Sequence, residues 1–436
     1  MPIYHPDGHR INHFGTDHPV NIPENYHEKP FRAFWVSNVV NIDLPTVEDI
    51  KTYEEKVIRM LDTAKEYNMT AILFQVRTTN DAFYRSELNP YSRYFTGTEG
   101  KEPPYDILKW IIEETKTRGL EFHAWCNPYR ISLNGNIPKD EYLNTCDDKN
   151  FAKRHPELIV KDKKGQIILN PAREEVKQFL VDSMLELVTN YDVDGIHFDD
   201  YFYPYAGLDD VENDLKDYEY RENLDWSLGD FRRHHVTDAM EKIYHALKEK
   251  NPKLRFGLSP FGIWKTKYSD PQGANVDPHC GECYYGQYAD AYDWVKKGII
   301  DYIVPQIYFD FGHKLAPFAD IVDWWQDLCK DSPVDLYIGH GAYRLGTDGR
   351  YLNSAEVVDQ VKYANQYESV KGNVFFTYKT FIDTEKAKEG MDQLKALFVG
   401  RKSEWTKSNM EYFPFSSCLC YFWVLASSVK QHHSLF

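Results

Sequence analysis

The run Asp194-Gly195-Ile196-His197-Phe198-Asp199-Asp200-Tyr201 closes a short apolar segment on a pair of acids. Two carboxyl groups held together can divide the work of hydrolysing a glycosidic bond. One, kept protonated, gives its proton to the leaving oxygen; the other, kept ionised, serves as nucleophile, base or electrostatic stabiliser. Asp310, at the end of Gln306-Ile307-Tyr308-Phe309-Asp310, is a third acid in an equivalent position, and no Glu stands at such an end.

Acids used in this way need a rigid frame. Eight short apolar runs read as strands over 31–37, 71–77, 121–127, 194–199, 254–261, 302–308, 336–341 and 373–378. Helical patterns separate them. Residues 49–67, for example, carry Val57, Ile58, Leu61 and Ala64 at helical spacing, and further helices are expected over 105–118 and 173–190. Strictly alternating strands and helices predict the α/β class, as a (β/α)8 TIM barrel with its active site at the C-terminal strand ends. Long loops follow strands three, four and five, where they would build a cleft. The first of them holds a β-hairpin signal around Lys164-Gly165. Residues 1–30, rich in His, Pro and Asn, read as an extended arm, and 31–398 as the barrel. Residues 399–436 break the register. Their apolar patch is shorter than the roughly 20 residues of a membrane span, and they read as an irregular, frameshift-like tail without a function.

Side-chain alternation sorts the strand residues. One parity meets the helix layer and the other faces the barrel interior. Ile196 and Phe198 belong under the helices, which leaves Gly195, His197 and Asp199 inside. The same rule sends Trp35 and Ser37 inward from strand one, Gln75 and Arg77 from strand two, and Trp125 and Asn127 from strand three. Ser259 follows from strand five, and Gln306, Tyr308 and Asp310 from strand six. Asp199 is the expected charged partner, because His197 and Arg77 can keep it ionised. The proton donor is Asp200 or Asp310. Adjacent residues at a strand end diverge, whereas strand six can face strand four, which favours Asp310. The candidate substrate contacts are Trp35, Gln75, Arg77, Trp125, Asn127, His197, Tyr203, Gln306 and Tyr308.

Composition narrows the ligand. A net charge of −16 argues against nucleic acid and other polyanions. Aromatic residues make up 15% of the chain, with 32 Tyr and 10 Trp, and aromatic faces suit sugar rings. Seven Cys make an odd number in a long chain, not a disulfide framework. Cys280-Gly281-Glu282-Cys283 has no second ligand pair, so no metal or other cofactor is expected. No secretory leader is visible at Met1-Pro2-Ile3, which makes the cytoplasm the expected compartment.

Other barrel chemistries fit poorly. Strand one lacks the paired histidines of metal-dependent amidohydrolases, and the interior offers no lysine suited to a Schiff base. The segments Phe31-Arg32-Ala33-Phe34-Trp35-Val36, Phe74-Gln75-Val76-Arg77, Ala124-Trp125-Cys126-Asn127-Pro128-Tyr129-Arg130, 194–204, Ser259-Pro260-Phe261-Gly262 and Pro305-Gln306-Ile307-Tyr308 together resemble the glycosyl-hydrolase-like family ten. That resemblance covers about 31–398. It implies a TIM barrel that hydrolyses O-glycosidic bonds of a bacterial glycan, with peptidoglycan strands among the substrates. Gly195-x-His197-x-Asp199 is similar to the strand-four nucleophile motif of the alpha-amylase clan, with His in place of its usual Arg. The main alternative expectation is a barrel that binds carbohydrate without cleaving it.

Overall fold

The structure is a computed structural model that describes residues 1–410 apart from 48, 134 and 384, with backbone alone over 401–410. The greater part of the tail, 411–436, lies outside the described residues.

Eight parallel strands close into a barrel. They are β1 (Phe31–Val36), β2 (Ala71–Arg77), β3 (Glu121–Cys126), β4 (Gly195–Phe198), β5 (Arg255–Leu258), β6 in two pieces (Tyr302–Ile303 and Gln306–Ile307), β7 (Asp335–His340) and β8 (Val370–Phe375). Each pairs with the next, and β8 returns to β1 with Gly372 opposite Phe31 and Phe375 opposite Phe34. Pro305, which has no N–H to donate, separates the two pieces of β6. The last strand begins three residues earlier than the sequence reading placed it. Gly372 explains the close approach there: a Cβ would lie 2.4 Å from the Phe31 carbonyl oxygen.

The helices between strands form the outer layer. Helix Ile50–Glu66 starts at Asp49, whose side chain accepts from the Thr52 N–H, and buries Tyr53, Val57, Met60, Leu61 and Ala64 against the barrel. Inside, Phe31 stacks on Tyr337 with ring centroids 4.1 Å apart. Large rings on some strands need small residues on their neighbours. A Cβ on Gly257 would fall 2.1 Å from the Tyr302 ring, and one on Gly195 would fall 2.5 Å from His123 Nδ1. The interior below the site is therefore solid, as in barrels whose lumen is a packed core.

The longest connection leaves the C-terminal end of β3, over 127–173, and those after β2, β4 and β5 run over 78–106, 199–227 and 259–290. The β3 connection contains an antiparallel hairpin of Ile159–Lys161 with Ile167–Leu169, turned at Gly165 with φ +86°. Residues 1–30 fold back on the barrel: bridges join Pro2 to Asn21 and Asn12 to Pro19, and Ile3, Ile11, Val20 and Ile22 are buried. Among the described residues no helix is long and apolar enough to cross a membrane.

Candidate active site

A cavity of about 360 Å³ opens at the C-terminal ends of the strands. Asp199, Asp200, Trp125 and Arg130 bound one side, and Trp35, Ser37, Gln75 and Phe376 another, with Gln306 and Tyr308 between them. The size and the mix of aromatic walls with a few polar groups suit a small-molecule or sugar-ring site.

Asp199 and Asp200 leave the end of β4 into the mouth, where they are only 4% and 6% exposed. Asp199 Oδ2 accepts from Trp125 Nε1 at 3.2 Å and from Asn127 Nδ2 at 3.1 Å, and Oδ1 accepts from the Tyr201 N–H at 3.2 Å. Burial pushes its carboxyl up to about 6; the Asp200 charge adds to the rise, while the Arg130 guanidinium and these hydrogen bonds oppose it. Asp200 Oδ2 accepts from the Tyr205 hydroxyl. Its carboxyl is likewise raised by burial, against the pull of Tyr205 and Gln306. Two adjacent buried carboxyls with raised affinity for protons form one coupled unit.

Arg130, Tyr201 and Tyr205 complete this side and were not among the residues expected from strand alternation. Arg130 lies over the Tyr201 ring, 3.6 Å from its centroid. Its backbone N–H donates to Asn127 Oδ1 at 3.0 Å, which ties it to the residue that also holds Asp199. All three sit beyond strand ends, where period-two alternation carries no signal. The only trace is of Arg130 and Tyr201, which fall in the Asn127-Pro128-Tyr129-Arg130 and 194–204 segments; Tyr205 lies one residue beyond the second.

Trp35, Gln75, Trp125, Gln306 and Tyr308 line the cavity, whereas Asn127 reaches it through Asp199. Three expected contacts and one expected catalytic acid lie elsewhere and are corrected. The β2–β3 register shifts between Gln75 and Arg77, which leaves Arg77 opposite the helix-facing Cys126. That bulge turns Arg77 under the helices, where it donates to Asn80 Oδ1 at 2.8 Å and lies over Phe179. His197 faces inward but one level too deep. Its Nε2 accepts from Trp35 Nε1 at 3.2 Å, and its Nδ1 lies 3.3 Å from the Tyr302 hydroxyl. Burial holds this imidazole well below its usual range, hence neutral, so it supports the floor rather than the charge of Asp199. Tyr203 is buried behind the mouth, donating to Asp214 Oδ2 at 3.0 Å.

Asp310 is the fourth. β6 ends at Ile307, and beyond Tyr308 the chain turns Asp310 away from the cavity to accept the Arg350 N–H at 2.7 Å. Asp310→Asn is expected to leave kcat/KM within about threefold of the wild type, because the altered atoms do not face the substrate. Steady-state kinetics of that variant checks the correction; a loss of about 10²-fold would return Asp310 to the chemistry.

Among the described residues no group of three or more His, Cys, Asp or Glu is placed to hold a metal ion. Cys280 and Cys283 are free thiols.

The profile described as glycosyl hydrolase-like 10 matches residues 30–354, a span that holds both mouth carboxylates, Arg130 and Tyr205. Glycosyl hydrolase YngK of Bacillus subtilis (strain 168) is 38% identical over 357 residues, covering 81% of this chain and 69% of that one. Glycosyl hydrolase DigH of Escherichia coli (strain K12) is 32% identical over 333 residues, covering 73% and 74% respectively. This chain belongs to the glycosyl hydrolase-like 10 family.

Proposed function

We propose that this protein hydrolyses O-glycosidic bonds of a glycan, with Asp199 ionised and Asp200 as the proton donor. The observation that carries the reading is the coupled carboxyl pair, buried at the end of β4 and opening on an aromatic-walled cavity. Hydrogen bonding divides the pair. Asp199 receives three N–H donors and none of them can accept, an environment that selects the anion. Asp200 meets the Gln306 amide and a tyrosine hydroxyl, and the hydroxyl can accept as well as donate, so Asp200 is the better home for a shared proton. A sugar ring held against Trp35, Trp125 or Phe376 would present its glycosidic oxygen to Asp200 and its anomeric carbon toward Asp199. Whether Asp199 attacks directly or activates a water is read from the anomer of the product.

Activity rises and falls with this proton. It weakens at low pH as Asp199 becomes protonated, and at higher pH as the donor ionises, which gives a bell-shaped profile. The finer reading is a bacterial, N-acetylated glycan of the peptidoglycan type, as the family resemblance of the strand segments implies. The test is reducing-end release by the full chain from denuded peptidoglycan strands, chitooligosaccharides and α- and β-glucans. Release from one class is the expected result and names the substrate. Binding without release from any class would leave a carbohydrate-binding barrel.

A further inference from the structure

We infer that Ser37 and Gln75, at the ends of β1 and β2, form a rigid hydrogen-bond clamp for an oxygen of the bound sugar and so set substrate specificity. The inference rests on the cavity being a sugar site, but not on hydrolysis there.

Both residues line the cavity and both are buried, Ser37 at 1% and Gln75 at 0% exposure. Ser37 Oγ and Gln75 Nε2 nevertheless have no hydrogen-bond partner in the protein. Buried polar atoms are nearly always paired, and leaving one unpaired costs about 1–3 kcal/mol. Two orphans on one wall of a functional cavity therefore point to a partner that arrives with the ligand.

The orientation of Gln75 is locked. Its Oε1 accepts from the Asn38 N–H at 2.9 Å and the Val39 N–H at 2.8 Å, while Asn38 Nδ2 donates to the Gln75 carbonyl at 2.6 Å. Flipping the amide would set its NH2 against two backbone donors, so Nε2 stays the unpaired donor end of a residue that lines the cavity. Ser37 is pinned through its backbone. Its N–H donates to Asp43 Oδ2 at 2.6 Å, and Asp43 Oδ1 ties the end of β1 to the far end of β8 by accepting from Thr377 Oγ1 at 2.8 Å and the Lys379 N–H at 2.7 Å. The side chains are thus positioned before any ligand binds, which avoids the ordering cost of binding. Val39 and Ile42 beside them are apolar. The ligand feature that fits is an acceptor oxygen, a hydroxyl or a carbonyl, on a ring lying against Trp35.

The two substitutions that test this differ in what they leave behind. Ser37→Ala removes a hydroxyl that bonds nothing in the free protein, so its melting temperature is expected at or above the wild-type value. Gln75→Glu keeps the oxygen that holds Asn38 and Val39 but replaces the inward donor by an acceptor. Calorimetric titration of the full chain with chitotetraose, cellotetraose and maltotetraose, without reference to cleavage, is the direct readout. The oligosaccharide that binds the wild type is expected to bind Ser37→Ala about 5- to 10-fold more weakly, and Gln75→Glu at least 10-fold more weakly. Where that sugar is also cleaved, the Ser37→Ala loss should appear mainly in KM. Unchanged affinity in folded variants would overturn the clamp while leaving hydrolysis untouched. Wild-type binding without cleavage, weakened in both variants, would keep the clamp and overturn hydrolysis. No binding to the wild type of any of the three, or of denuded peptidoglycan strands titrated in the same way, would overturn the sugar site and the clamp together.

Discussion

Asp199→Asn and Asp200→Asn are each expected to fold normally and to lose at least about 10²-fold in kcat on an unactivated glycan, the usual scale of positioned proton transfer or covalent catalysis. The two should part company on a substrate with a good leaving group. A nitrophenyl glycoside departs without a proton, so much of the Asp200→Asn loss should be restored on it. The Asp199→Asn loss should persist, because stabilisation of the anomeric carbon is still missing. Rescue of Asp199→Asn instead would reverse the roles. Stability gives an independent check with a definite sign. Both carboxyls have pKa values raised in the folded protein. The folded state therefore binds more protons than the unfolded one, and the pair loses stability as pH climbs from the ordinary carboxylate range through about 6 for Asp199. Asp200→Asn removes one of the two charges and keeps an oxygen for the Tyr205 hydroxyl. Its melting temperature should exceed that of the wild type by a few degrees above pH 6, a gain that fades below about pH 4. Asp199→Asn should gain less, since its new NH2 group would meet the Trp125 or Asn127 donors. A melting temperature that falls in Asp200→Asn across the whole range would show that the carboxyl is not held against its charge.

The barrel was legible because its signal is repetitive. Period-two strands and amphipathic helices recur eight times, and an error at one boundary does not change the count. Lumenal direction was legible for the same reason: Trp35, Gln75 and Trp125 point where alternation sends them. The misplacements have separate physical causes. Val76 is an extra residue in β2 with nothing in its type to announce a bulge, and everything after it, including Arg77, changes side. His197 has the expected direction, but neighbouring strands in a barrel are staggered, so its depth depends on the register with β3 and β5 rather than on its own strand. Asp310 and Tyr203 lie past strand ends, where the rule no longer applies. Arg130, Tyr201 and Tyr205 were hidden for that reason too, and a loop of this length on the catalytic face is where such residues collect.

Tyr203 illustrates what holds that loop. Asp214, fully buried, accepts from Arg232 Nε at 2.8 Å and Nη2 at 2.6 Å, with the Tyr203 hydroxyl on the same carboxylate at 3.0 Å. Arg232 Nη1 also donates to the Tyr288 hydroxyl at 2.9 Å, and the guanidinium lies over both tyrosine rings. The helix Leu228–Lys250 thereby anchors the segment 199–227 that carries Asp200 and Tyr205. Arg232→Met would leave a buried carboxylate facing one hydroxyl. Its expected cost is about 3–5 kcal/mol of unfolding free energy, the scale of breaking a buried pair from one side. Denaturant titration measures it. Arg232→Met combined with Asp214→Leu should recover much of that loss, since no charge is then stranded. Equal losses in the single and double variants would mean that the aromatic contacts of Arg232, rather than its charge, do the anchoring. Tyr203→Phe removes one neutral donor and leaves the ion pair intact, for about 1 kcal/mol. Its KM should stay within about twofold of the wild type, because a residue that anchors the loop from behind makes no contact that a bound sugar could lose.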